Sequence, residues 1–177
     1  MSRLMTMAGA LCVALLTSTG AFAQAAPNPN DNVPETVPFS TPYGAPIDLA
    51  TAKKAAAAAM AEATKRNWGA AFCVAIVGPS GDLVYFERGD NCQFASISIS
   101  QHKARTAAKY RRPTLIFERG LGNGSYFSYL PTLDDVIASR GGNLIVVGGK
   151  LIGAIGVSGG AGSQDDVVSQ AGAAALK

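Results

Sequence analysis

Apolar and polar positions recur along this chain in two different periods, and the changes of period mark its elements. From 49 to 66 small apolar side chains return at helical spacing, with Leu49, Ala52, Ala56, Met60 and Ala63 on one stripe. Asp48 stands before the stripe as an N-cap, and Lys65, Arg66, Asn67 and then Gly69 suit its end. Residues 71–77 and 83–88 are short apolar runs rich in strand-forming side chains. The turn Gly78-Pro79-Ser80-Gly81-Asp82 between them is too short for a crossover, so they predict an antiparallel hairpin. A loop from Gly89 to Phe94 leads to a second helix at about 96–111, closed by Pro113.

Residues 114–142 show no sustained period; a short helix at 132–139 and a Gly122-Asn123-Gly124 tip are expected there. A second hairpin follows, 143–147 and 150–157 around Gly148-Gly149, a pair suited to the positive φ angles of a tight turn. Gly153 and Gly156 inside its second strand predict close packing against that backbone. Ser163, with Asp166 in a capping-box spacing, is expected to open a last helix running to about Leu176. Strands that arrive as hairpins, with helices between the pairs, predict an α+β fold: an antiparallel sheet with packed helices.

Both ends of the pattern's first fifty residues differ from the rest. Arg3, an apolar run from Leu4 to Leu16 and a small-residue close at Ala21-Phe22-Ala23 have the layout of a secretory signal peptide, residues 1–23. Cleavage after Ala25 also fits. The run is shorter than the ~20 residues a spanning helix needs, so stable membrane insertion is not expected, and the product is expected in the periplasm or secreted. Residues 24–46 hold six prolines and read as a flexible arm that Phe39 and Tyr43 can pin to a domain at 47–177.

Composition narrows the classes. The chain has 177 residues, 48% hydrophobic and 15% charged, with a net charge of +3. That is one ordinary domain with too much apolar material for disorder and no basic stripe for nucleic acid. Export removes Cys12 and leaves Cys73 and Cys92 in an oxidising compartment. Simple hairpin register does not set these two opposite each other. Either the 89–94 loop folds back to bridge them or they remain separate thiols.

The single histidine, His102, begins the motif His102-Lys103-Ala104-Arg105-Thr106. Helical spacing puts His102, Arg105, Thr106 and Lys109 on one face. An imidazole suits haem iron, and Lys103, Arg105 or Arg111 suits its propionates. The same residues also fit a plain solvated basic face. Tyr43, Tyr110, Tyr126 and Tyr129 are further candidate ligands. Lys103 is either half of a structural ion pair, for example with Asp165, or a base or Schiff-base lysine in a pocket. The Ser158–Ser163 turn offers N–H groups to an anion, but it lacks a phosphate-loop ending and is followed by Asp165 and Asp166. No Cys-x-x-Cys, His-Glu-x-x-His or Gly-x-Ser-x-Gly occurs, which argues against a dedicated zinc site or a serine hydrolase.

Three stretches resemble one family. They are Gly153-Ala154-Ile155-Gly156-Val157-Ser158-Gly159-Gly160 with Gln164-Asp165, Lys103-Ala104-Arg105-Thr106-Ala107-Ala108 with Pro113-Thr114, and Pro79-Ser80-Gly81-Asp82-Leu83-Val84. Together they are similar to the GlcG/HbpS-like proteins, the haem-degrading domain family, from about 47 to 177. The resemblance implies a PAS/profilin-like fold, homo-oligomers, haem as a possible cofactor and, in one extracellular type, a sensor partner. It also leaves room for a small-molecule enzyme using Lys103 and Asp165, or for an assembly module without ligand. Asp90-Asn91-Cys92-Gln93-Phe94 and residues 117–130 depart from the family pattern.

Overall fold

The computed structural model describes residues 28–177; the expected signal peptide lies outside the described residues. Helix α1 (Leu49–Lys65) leads into strands β1 (Cys73–Val77) and β2 (Leu83–Arg88). Helices α2 (Phe94–Tyr110) and α3 (Thr114–Gly122) follow, then β3 (Gly142–Val147), β4 (Lys150–Ser158) and α4 (Gly162–Ala174). The four strands form one antiparallel sheet in the order β2-β1-β4-β3. The fold is the expected α+β class.

The sheet is covered on both faces. Val74, Ile76, Ile145, Ile155 and Val157 point to one side, where they pack with α1 and α4. Ala75, Val77 and Ala154 point to the other, against Ala104, Ala107 and Ala108 of α2. That second interface is built from small side chains, so helix and sheet backbones come close. A Cβ at Gly156 would overlap the Ser100 carbonyl and one at Gly142 the Lys103 carbonyl, both on α2. The close packing anticipated at Gly156 is therefore the seat of α2. The one at Gly153 faces the other way, towards the Val77 carbonyl and Ile47.

Local chemistry explains most boundaries. The Asp48 carboxylate accepts from the Thr51 N–H at 2.7 Å and caps α1. The buried stripe of α1 is Ala52, Ala55, Ala56, Ala59 and Ala63; Leu49, expected on it, is half exposed one turn earlier. Gly148 and Gly149 both take positive φ (+55° and +73°) in the β3–β4 turn. α4 begins at Gly162 rather than after a Ser163 cap. The Gln164 side chain there accepts from the Ala161 N–H at 2.9 Å.

Residues 114–142 are more ordered than their sequence predicts. α3 occupies 114–122, and the expected helix at 132–139 is absent; a single 3₁₀ turn, Leu130–Thr132, stands just before it. The end of the proline-rich arm is also fixed. The N–H groups of Gly44 and Ile47 donate to Leu151 and Ile152, and Leu151 donates back to Pro42, so this stretch lies beside β4 beyond the end of β1. No helix among the described residues is long and apolar enough to cross a membrane.

Candidate functional site

Two groups of polar side chains on α2 are held by different neighbours. The first faces the start of α4. Lys103 is 1% exposed, and its Nζ donates to Asp165 Oδ2 at 2.7 Å and to the Val157 carbonyl at 3.1 Å. The other Asp165 oxygen accepts from the Gly160 N–H at 2.9 Å. Burial pushes the Asp165 carboxyl up, against the opposing pull of Lys103 and the turn N–H groups. The pair joins α2, the end of β4 and α4. Gly141 lies against it (φ +113°), where a Cβ would meet Lys103 Nζ at 3.1 Å. An amine so enclosed has no open approach for a substrate carbonyl, so the arrangement is that of a structural ion pair. The Ser158–Ser163 turn is likewise occupied by its own chain: its N–H groups at Gly160 and Ala161 go to Asp165 and Gln164.

The second group is the His102 face. Arg105 and Lys109 both pair with the Asp135 carboxylate. The Thr106 hydroxyl donates to the Asp135 carbonyl and accepts from the Ile137 N–H at 3.0 Å. Tyr110 donates to the Asp134 carbonyl at 2.7 Å. Residues 134–137 therefore lie against this face, which stays partly solvated at Arg105, Lys109 and Asp135. Asp135 itself has φ +57°, in the left-handed region that Asp tolerates better than most side chains. Its partners, Lys109 foremost, hold its carboxyl below the usual range.

His102 sits half-buried in this group. Burial, and then the nearby Arg105 charge, hold its pKa below the ordinary value; Asp135 opposes both through its charge and its backbone. The neutral ring is favoured. Among the described residues, its Nε2 is the buried side-chain nitrogen left without any hydrogen-bond partner. An orphaned buried nitrogen costs stability. A ring that donates from Nδ1 to the Asp135 carbonyl would keep its lone pair on Nε2, the form that ligates a metal.

The remaining candidates separate. Arg111 stacks on Tyr43 and donates to the Thr41 carbonyl at 3.4 Å, away from His102. Tyr43 donates to the Lys109 carbonyl at 3.3 Å and lines a cleft of about 350 Å³ with Pro79, Ser80 and Lys109. Tyr129 is half-exposed, at a separate small cavity. Among the described residues no three His, Cys, Asp or Glu side chains cluster as a metal site. Cys73 and Cys92 are bonded, with Cα atoms 5.8 Å apart. The loop folds back as that bridge requires, its Gly89 and Asn91 N–H groups donating to Phe72 and Ala70. The sequence offers Asp135 as a carboxylate without a partner, because nothing local marks a residue that works by reaching a helix 26 positions earlier. The same holds for Glu118, whose carboxylate accepts from the Arg140 backbone N–H and guanidinium.

With this geometry in place, comparison with known proteins is decisive on family. A family model described as "Haem degrading protein HbpS-like" matches residues 47–174. The chain belongs to the HbpS-like family. GlcG of Escherichia coli K12 is 43% identical over 103 residues, 58% of this chain and 73% of GlcG. A 15.0 kDa protein of the dhaT-dhaS intergenic region of Citrobacter freundii is 34% identical over 128 residues, 71% of this chain and 89% of that one. Among solved structures, Klebsiella pneumoniae ORFY superposes with a TM-score of 0.70 at 26% identity, covering 80% of this chain and 97% of ORFY. A double mutant of Streptomyces reticuli HbpS gives 0.68 at 28% identity, covering 87% and 99%. PduOC, solved as a heme complex, gives 0.67 over 75% of this chain and 96% of its own; at 23% identity it speaks for the fold alone.

Proposed function

We propose that this HbpS-like protein is exported and binds haem, with a role in haem sensing, buffering or degradation. The observation that carries the reading is the orphaned Nε2 of His102 on a neutral, half-buried ring. Imidazole nitrogen is a common axial ligand of haem iron, and haem when bound supplies redox and O₂ chemistry. The family description lends support from outside the chain.

The residues divide the task. His102 would offer its Nε2 to the iron. Arg105, on the same face and partly exposed, offers a guanidinium to a propionate. Thr106 and Asp135 hold residues 134–137 beside this face, and Nε2 is buried, so its surroundings would have to shift for haem to load. The Lys103–Asp165 pair keeps α2 in register on the sheet rather than touching ligand. For export, the support is the signal-like start of the sequence and the Cys73–Cys92 bond, which suits an oxidising compartment.

The test is a hemin titration of the purified protein beside His102→Ala. A Soret shift saturating at micromolar hemin, weakened by the substitution, is expected. No spectral change in the unsubstituted protein would sink the reading. An equal change in both would remove His102 as the ligand.

A further inference from the structure

The end of α2 holds a cation that the haem reading does not use. Arg112 follows the left-handed residue Arg111 (φ +52°), and its Nε donates to the Tyr110 carbonyl at 3.0 Å. Its guanidinium carbon lies 3.9 Å from the Phe39 ring centroid and 5.7 Å from that of Phe117. Burial is the leading cause that pushes its pKa below the ordinary value. Among the described residues no carboxylate comes within 4 Å of it. The nearest acid in sequence, Glu118, pairs with Arg140, and Asp135 pairs with Arg105 and Lys109. A partly desolvated guanidinium without a counter-charge is an expensive arrangement unless an anion completes it.

Arg112 forms one wall of a cavity of about 90 Å³. Phe117, Phe127, Tyr129 and Leu130 form much of the rest. Gly120 also lines it, and a Cβ there would meet the flexible end of Leu130, 2.9 Å from Cδ1. A water takes about 30 Å³, so the cavity holds the equivalent of about three, or a chain of a few carbons. Most of its lining side chains are apolar, with Arg112 and Tyr129 bringing the polar groups.

We propose that this cavity binds a carboxylate carried on a short alkyl chain, the acid group on Arg112 and the chain against Phe117, Phe127 and Leu130. Such a group can be a free short-chain acid or the acid arm of a larger ligand, including a haem propionate. The inference does not rest on His102.

The experiment titrates the purified chain with sodium butyrate and with butyramide, its uncharged analogue, at constant ionic strength, by heteronuclear NMR. Saturable shifts at residues 112–130 are expected with butyrate, with at least ten-fold weaker binding of butyramide and of butyrate to Arg112→Gln. Arg112→Lys, which keeps the charge, guards against loss of folding and should bind with intermediate affinity. A second arm measures hemin and hemin dimethyl ester. Competition between butyrate and hemin, together with a loss in Arg112→Gln for hemin but not for its dimethyl ester, assigns the acid group to haem. Butyrate binding without competition assigns it to a free acid. Butyrate and butyramide behaving alike, or no butyrate binding with hemin unaffected by Arg112→Gln, overturns the proposal.

Discussion

Lys103 and Asp165, 62 positions apart, meet at 2.7 Å in a region where both side chains are almost fully buried. The contact ties the central helix to the last one across the end of β4. Removing one partner strands the other charge. Lys103→Met is expected to cost about 3–5 kcal/mol in urea unfolding at neutral pH, the usual penalty for a broken buried pair. Adding Asp165→Asn should recover much of that loss, because the amide oxygen still accepts from the Gly160 N–H without a buried charge. Lys103→Met should also lose less at acidic pH, because a protonated Asp165 needs no counter-charge. A pH-independent loss, or a double variant no better than the single, would show that packing rather than charge dominates there.

Gly156 makes an equally specific demand. Any Cβ at this position overlaps the Ser100 carbonyl and crowds the Ala104 backbone, so α2 would have to lift from the sheet. Gly156→Ala is expected to destabilise by about 3 kcal/mol or more, at the upper end of overpacking penalties. Gly122→Ala, in open space with an ordinary φ, should be neutral or stabilise by up to about 1 kcal/mol. Thermal unfolding of the two variants separates the effects.

These two positions show why the fold was largely readable from the sequence. Gly156 is a glycine inside a strand pattern, and Gly148-Gly149 a turn with a known backbone requirement; both are local statements about shape. The helix stripe on α1, the Asp48 cap and both hairpins are local as well. The candidate site was readable only as a helical face. What lies against that face is Asp135, in a segment without period, held by partners on another element. α3 was missed for a related reason. Its N-terminus directly follows Pro113 and its Gly120 and Gly122 resemble loop residues, yet Phe117 buries against the Tyr110 ring and holds it.

The Cys73–Cys92 bond closes a loop of about 19 residues that includes all of β2. In the chain-entropy account, a loop of this size is worth about 3 kcal/mol. The double substitution Cys73→Ala with Cys92→Ala should lower stability by about that amount. A reductant should do the same to the unsubstituted protein and nothing further to the variant. Equal stability with and without reductant would mean that the folded-back 89–94 loop is held by its backbone bonds to Ala70 and Phe72 alone.

His102 predicts a pH dependence whose sign can be worked out. Its folded pKa lies below the ordinary value of about 6.5, so the unfolded chain takes up a proton first as pH falls. Stability from this group is complete above about pH 6.5 and is lost as pH falls through the folded value. Asp135 adds in the same direction at lower pH: its depressed carboxyl stabilises above its unfolded value and that contribution vanishes as pH falls through the folded one. His102→Gln should therefore flatten the stability profile just below pH 6.5 and leave the more acidic fall intact. The proposed haem site gives Asp135 a second test. Asp135→Asn keeps a side chain that tolerates the left-handed backbone but removes the charge that Arg105 and Lys109 share. Hemin association should then be several-fold faster in stopped-flow absorbance, with the final Soret position unchanged. An unchanged rate would mean that residues 134–137 do not control entry to the His102 ring.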